Sequence, residues 1–160
     1  MQAELTAALA GDLKPLGFRR RRHNLVRAGQ ELYAVVNVQK SAWDESCYLN
    51  LGFAPPDRVA DGWLAENRCP IRFRFEALLS ARPEDLRLLG PAATGVPSSA
   101  AWTSAVTERV VRPIAALLAE IDDLASLGHA LRTRVSDHVL LHHDIRGALT
   151  MRAASPPRAD

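Results

Sequence analysis

Hydrophobic and polar positions alternate with a period of two between Leu32 and Ser41. Leu32, Ala34, Val36 and Val38 fall on one side, and Tyr33, Val35, Asn37 and Gln39 on the other. Tyr48 to Phe53 repeats the pattern, with Leu49, Leu51 and Phe53 opposed to Tyr48, Asn50 and Gly52. Successive strand side chains point to opposite faces, so a period of two predicts strands with one apolar and one mixed-polar side. The connection Ala42-Trp43-Asp44-Glu45-Ser46 is polar apart from Ala42 and Trp43 and suits a short hairpin loop. Ile71, Phe73 and Phe75 then alternate with Arg72, Arg74 and Glu76, which predicts a strand at Ile71–Phe75 in the same sheet. Phe18 to Ala28 reads as the first strand, with Gly29 in the turn after it. Phe18 and Leu25 have opposite parity, and a bulge between them would reconcile the two.

The remaining periodicity is helical. Leu5, Ala8, Leu9 and Leu13 predict a first helix over residues 2–14, stopped by Pro15 and Gly17. Val59, Trp63 and Leu64 suggest a short helix at Asp57–Asn67. Residues 80–100 hold Pro83, Gly90, Pro91, Gly95 and Pro97 and read as loop, with one helical turn at Pro83–Leu88. Val106, Val110, Ile114, Leu117, Leu118 and Ile121 form the apolar stripe of a long helix over 101–122. Pro113 lies inside it and must kink it or start a second helix. Leu124–Arg134 and Asp137–Met151 read as two shorter helices. The tail 153–160, with Ser155-Pro156-Pro157, is expected to be disordered.

These elements predict one α+β domain over residues 1–152. Its mostly antiparallel sheet of about four strands is packed on one face by the first and the long helix, and the other face meets water or a partner. Leu16-Gly17-Phe18, Val38-Gln39-Lys40-Ser41 and Leu49-Asn50-Leu51-Gly52 together resemble a bacterial family known as domain of unknown function 4304. Cys69, the Arg72 region and Trp102 extend the resemblance, which runs to about residue 130. The hairpin is its most specific part. The resemblance implies a small α+β domain, no established activity and no catalytic residues to carry over. Such proteins often have two adjacent tryptophans where this chain has only Trp102.

Composition narrows the class. The chain of 160 residues is 48% hydrophobic and 24% charged, ordinary values for one globular domain. No apolar run approaches a membrane span, and the start lacks the pattern of a signal peptide. Cys47 and Cys69 give neither a disulfide framework nor metal-ligand spacing, which predicts a reducing cytoplasm. Of the 20 basic residues only Lys14 and Lys40 are lysines. Arginine's planar fork suits phosphate and carboxylate, although biased codon usage would also enrich arginine and alanine.

Candidate chemistry gathers on the polar side of the strands. Asn37, Gln39, Tyr48, Asn50, Arg72 and Arg74 share one parity and predict a face suited to an acidic protein or a small anionic ligand. The plainer alternative is a solvated face. Arg19-Arg20-Arg21-Arg22-His23 suggests nucleic acid, but a strand splits these charges between two faces, stacking aromatics are few, and no nucleic-acid motif accompanies them. His138 and His142 would share a helix face and hold a metal if a third ligand approached, with Asp137 or Asp144 beside them and His143 next in the chain. That arrangement would suit a metal-dependent hydrolase, although incidental histidines on an exposed helix are the plainer reading. Arginines near Cys69 would lower its pKa, but no nucleophile, phosphate-loop or dinucleotide motif is present. The expected role is therefore a non-enzymatic binding module without a cofactor.

Overall fold

The computed structural model describes residues 1–91, 99–136 and 138–142. Its centre is an antiparallel meander in which neighbours in space are neighbours in sequence: β1 (Arg19–Arg21), β2 (Asn24–Ala28), β3 (Tyr33–Lys40), β4 (Cys47–Ala54), β5 (Ile71–Arg74) and β6 (Leu140–Leu141). Five helices accompany it among the described residues: α1 (Gln2–Leu13), α2 (Pro83–Arg87), α3 (Ala100–Val106), α4 (Arg112–Ala119) and α5 (Leu124–Arg134). The architecture is α+β. No helix among the described residues is long and apolar enough to cross a membrane.

The main core lies between one sheet face and the helices. Leu25, Ala34, Val36, Val38, Leu49, Leu51, Phe53, Ile71 and Phe73 supply the sheet side. Leu5, Leu9 and Leu13 of α1 meet them, as do Trp102, Val106, Val110, Ile114, Leu117 and Leu118 of the long helix. Phe53 and Phe73 stack with their rings 5.9 Å apart across β4 and β5. Between α3 and α4 the backbone widens into a π turn at Thr107–Val111, where the N–H of Arg112 donates to the carbonyl of Thr107. Pro113 follows immediately and cannot donate to the carbonyl four residues back. The expected kink is therefore taken up as a π turn within a continuous helix. It carries Arg109 onto Asp85 of α2 at 2.6 Å. The buried Asp85 carboxylate also accepts the Arg82 N–H at 2.9 Å, capping α2.

Several expectations are corrected. Among the described residues the sheet has six strands rather than about four. The single bulged strand at Phe18–Ala28 is a tight hairpin, with Arg21 paired to Asn24 around Arg22 and His23. Arg22 takes the left-handed φ of +56° that such a turn needs, and the reversal explains the opposite parity of Phe18 and Leu25. Phe75 leaves the strand and opens a 3₁₀ turn, Phe75–Ala77. The helix expected at Asp57–Asn67 is replaced by 3₁₀ turns at Pro56–Arg58 and Glu66–Arg68, with a bridge between Ala60 and Trp63. Asp61 and Gly62 between them have φ of +50° and +67°, as a type I′ turn requires. The helix expected from Asp137 gives way to β6, whose Leu140 and Leu141 pair with Arg72 and Ile71. The remainder of that expected helix, and the tail 153–160, lie outside the described residues.

The second face of the sheet is not uniformly open. Residues 55–69 cross one half of it and bury a smaller cluster of Tyr33, Val35, Ala54 and Cys69, with Val26, Val59 and Leu64 packed against it. The Tyr33 hydroxyl donates to the Leu64 carbonyl at 2.8 Å and accepts the Leu64 N–H at 3.2 Å, so it is satisfied although buried. Gly52 of β4 lets this segment approach. A Cβ there would stand 3.0 Å from Cys69 Sγ and 3.1 Å from both Cys69 Cβ and Val35 Cγ1. Gly52→Ala should therefore overpack the junction and cost about 1–3 kcal/mol. Urea denaturation of the variant should show a lower midpoint with an unchanged slope.

A polar cavity on the open half of the sheet

The uncovered half of the second face is built by register. Asn37 lies opposite Asn50 and Gln39 opposite Tyr48 in the β3–β4 ladder, while Asn50 meets Arg74 and Gly52 meets Arg72 across β4 and β5. All six residues singled out in the sequence thus stand on one face. The amides among them are linked. Asn37 Nδ2 donates to Asn24 Oδ1 at 2.8 Å, and Asn50 Nδ2 donates to Asn37 Oδ1 at 3.2 Å and to Gln39 Oε1 at 3.0 Å. Asn50 is only 5% exposed, and these bonds fix its orientation at the centre of the sheet.

A cavity of about 520 Å³ opens over this network. Gln39, Asn50, Arg72 and Arg74 line it together with Glu66, Asn67, Phe73, Glu76, Ala77, His138 and Leu140. Asn37 and Tyr48 do not line it. Asn37 acts one layer back, through its bond to Asn50, and Tyr48 lies beneath the Arg74 guanidinium, 4.7 Å from its ring centre. Arg74 also pairs with Glu76 at 3.6 Å. Arg72 and Glu66 are both half-buried, and among the described residues no ion pair joins them to each other or to another charge. Burial pushes the Glu66 carboxyl above its ordinary value of 4.5, and the Arg72 and Arg74 charges only partly offset it.

The other candidates are placed differently. Arg19, Arg20 and Arg21 lie on β1, an outer strand, with Arg20 facing away from the side shared by Arg19 and Arg21. Arg21 stacks over Trp63, 4.4 Å from the ring centre. Exposed arginines on such a strand also discourage edge-to-edge pairing. His138 reaches the cavity rim, whereas His142 follows β6 and donates its backbone N–H to the Pro70 carbonyl at 2.8 Å. No helix joins the two histidines, so the i, i+4 argument for a shared face fails. Among the described residues no group of three or more His, Cys, Asp or Glu could hold a metal ion, and His143 and Asp144 lie outside those residues. Cys47 and Cys69 are free and buried. Burial first, then the Glu66 charge, push the Cys69 thiol up to about 12 against the pull of Arg72. The expected lowering by neighbouring arginines is overridden.

The residues missed in the sequence are those supplied by turns. Glu66 and Asn67 come from the 3₁₀ turn that replaces the expected helix, Glu76 and Ala77 from the turn after β5, and His138 and Leu140 from β6 and its approach. Glu76 did carry a signal, since it continues the parity of Arg72 and Arg74. The family described as domain of unknown function (DUF4304) matches residues 9–115, which include every cavity residue except His138 and Leu140. No curated protein and no solved structure matches the chain.

Two outcomes follow from the electrostatics. A carboxyl whose folded pKa is raised binds its proton more tightly in the native state, so its ionisation opposes folding above pH 4.5. Glu66→Gln should therefore be more stable than the parent at pH 7, with the gap narrowing as pH falls towards 4.5. Urea midpoints at the two pH values measure this, and a gap that widens on acidification refutes it. For the thiols, burial holds both above the ordinary value of 9.0. Mass spectrometry after iodoacetamide at pH 8 should find neither Cys47 nor Cys69 alkylated in the native protein, and both alkylated in urea.

Proposed function

The chain belongs to the family of domains of unknown function designated DUF4304, and from its own geometry we propose that it is a cytoplasmic, non-enzymatic binding module that holds a small anionic ligand in the cavity on the polar sheet face. The observation that carries this reading is the cavity of about 520 Å³, in which two arginines and two amides from adjacent strands converge. Small-molecule sites typically enclose about 300–1,000 Å³ and combine apolar walls with a few placed polar groups. Leu140, paired with Arg72 and exposed on the same face, supplies apolar wall here, and Arg72 supplies a half-buried guanidinium. Arginine in such a setting binds carboxylate or phosphate through a planar fork, more strongly than it would in open water. The concave shape favours a small ligand over an acidic protein, which would need a broad contact surface. Two buried, free cysteines accord with a reducing compartment.

Catalysis finds less support. Cys69 is held as a neutral thiol, and the two histidines are not brought together by a helix. The arginines of β1 offer a secondary surface for polyanions: Arg19 and Arg20 line a cavity of about 480 Å³ with Lys14, Phe18 and Leu25, without amide side chains.

Thermal unfolding with inorganic phosphate, pyrophosphate and citrate tests the proposal, with sodium chloride at matched ionic strength as the control. An anion at a hundredfold excess over its Kd adds about 2.7 kcal/mol, or roughly 5–10 °C in Tm for a chain of this size. The gain should vanish in Arg72→Gln. A gain that persists in Arg72→Gln places the anion elsewhere, and no gain with any of the three argues against an anion site.

A further inference from the structure

The charges around the cavity are not those of a simple anion trap. Arg72 and Arg74 are balanced by Glu66 and Glu76, which also line it. Arg74 and Glu76 already answer each other at 3.6 Å, and the Arg74 guanidinium is further held over Tyr48. That leaves Arg72 and Glu66. They come from different elements, β5 and the 3₁₀ turn Glu66–Arg68, and both are half-buried and face the same space. Each has lost part of its hydration, and a half-buried charge without a contact partner is costly. A ligand with a single negative charge would answer Arg72 and leave Glu66 as it is. A ligand with both signs would answer both. Asn50 points the same way: its Nδ2 is spent on Asn37 and Gln39, so its carbonyl oxygen is the atom it can offer, and that oxygen accepts from a donor. Leu140, 65% exposed on the same face as Arg72, leaves an apolar stretch of wall.

We infer that the ligand of this cavity is a zwitterion, an α-amino acid or dipeptide with an apolar side chain, whose carboxylate pairs with Arg72 and whose ammonium pairs with Glu66. This rests on the cavity being the binding site and names the class of ligand it takes. The ammonium is set against Glu66 and the Asn50 carbonyl oxygen. The apolar side chain covers Leu140. The volume exceeds that of a single amino acid, which is why the dipeptide belongs to the class.

Isothermal titration of the full chain separates this inference from the broader reading. The probes are L-phenylalanine and glycyl-L-phenylalanine, 3-phenylpropanoate and N-acetylglycyl-L-phenylalanine, which keep the acid but lack the ammonium, and 2-phenylethylamine, which lacks the acid. At least one zwitterion should bind about tenfold or more tighter than its counterpart missing either charge, the difference one ordered ion pair supplies. Glu66→Gln should remove that advantage while leaving 3-phenylpropanoate binding intact, and Arg72→Gln should weaken both acids. If 3-phenylpropanoate matches phenylalanine, or Glu66→Gln changes nothing while Arg72→Gln abolishes binding, the zwitterion is wrong and the anion site stands. The zwitterion is equally wrong, and the anion site again stands, if neither zwitterion binds at millimolar concentration while phosphate or citrate still stabilises the protein. If no acid binds and no anion stabilises, both readings fall together.

Discussion

Asn37 faces Asn50 across the β3–β4 ladder, and nearly everything else in the molecule depends on that register. A slip of one residue would turn Val36, Val38, Leu49 and Leu51 away from the helices and bury the amides in their place. Both strands are eight residues long and apolar on one side, so the correct pairing is strongly specified. The same alternation that builds the core delivers Asn37, Gln39 and Asn50 to the opposite face. Core and cavity are therefore one pattern read from two sides. The buried Asn50 is tolerated because Asn37 and Gln39 accept from its amide.

The second constraint is the close approach at Gly52. It lets Cys69 settle against β4 and brings residues 55–69 down over Tyr33, Val35 and Ala54. One half of the face thereby becomes dry and the other stays polar. The boundary between the halves is where Glu66 is held, on a turn that ends against Cys69. The position of Glu66 relative to Arg72 is thus set by packing rather than by a flexible loop. The same contact excludes solvent from the Cys69 thiol and raises its pKa.

The hairpin and the parity of its polar residues were legible because strand alternation is local and needs no knowledge of the partner. Ile71 to Arg74 was legible for the same reason. The β1–β2 turn was not, since Arg22 adopts its left-handed φ without a glycine or asparagine to announce it. The turn at Asp61–Gly62 did announce itself through a favoured dipeptide, but Val59, Trp63 and Leu64 imitated a helical stripe and concealed it. β6 is two residues long, too short for alternation to register, and exists only because β5 offers an edge. Pro113 signalled a break in the helix, but whether that becomes a kink or a π turn depends on tertiary contacts such as the Arg109–Asp85 pair. The cavity was half legible. Residues supplied by strands were found through parity, and residues supplied by turns were not, because turns take their positions from packing.

Arg72 and Glu66, which no ion pair engages among the described residues, bear on the proposal that this face is more than a solvated surface. A surface evolved only for solubility would extend its charges into water, where hydration is strongest and ion pairs matter little. Here an arginine and a glutamate are drawn partly out of water at the wall of a cavity, and the glutamate's protonation equilibrium is displaced as a result. Burial of that kind lowers stability, and mutation readily removes such a liability where nothing depends on it. The same desolvation would strengthen an interaction with a ligand that brings the missing opposite charges, because the groups are already oriented and already stripped of part of their water. The rigid amide row beneath them adds to that preorganisation. A local loss in folding free energy, placed where two independent elements meet over a polar floor, is therefore the physical argument for regarding this cavity as a site.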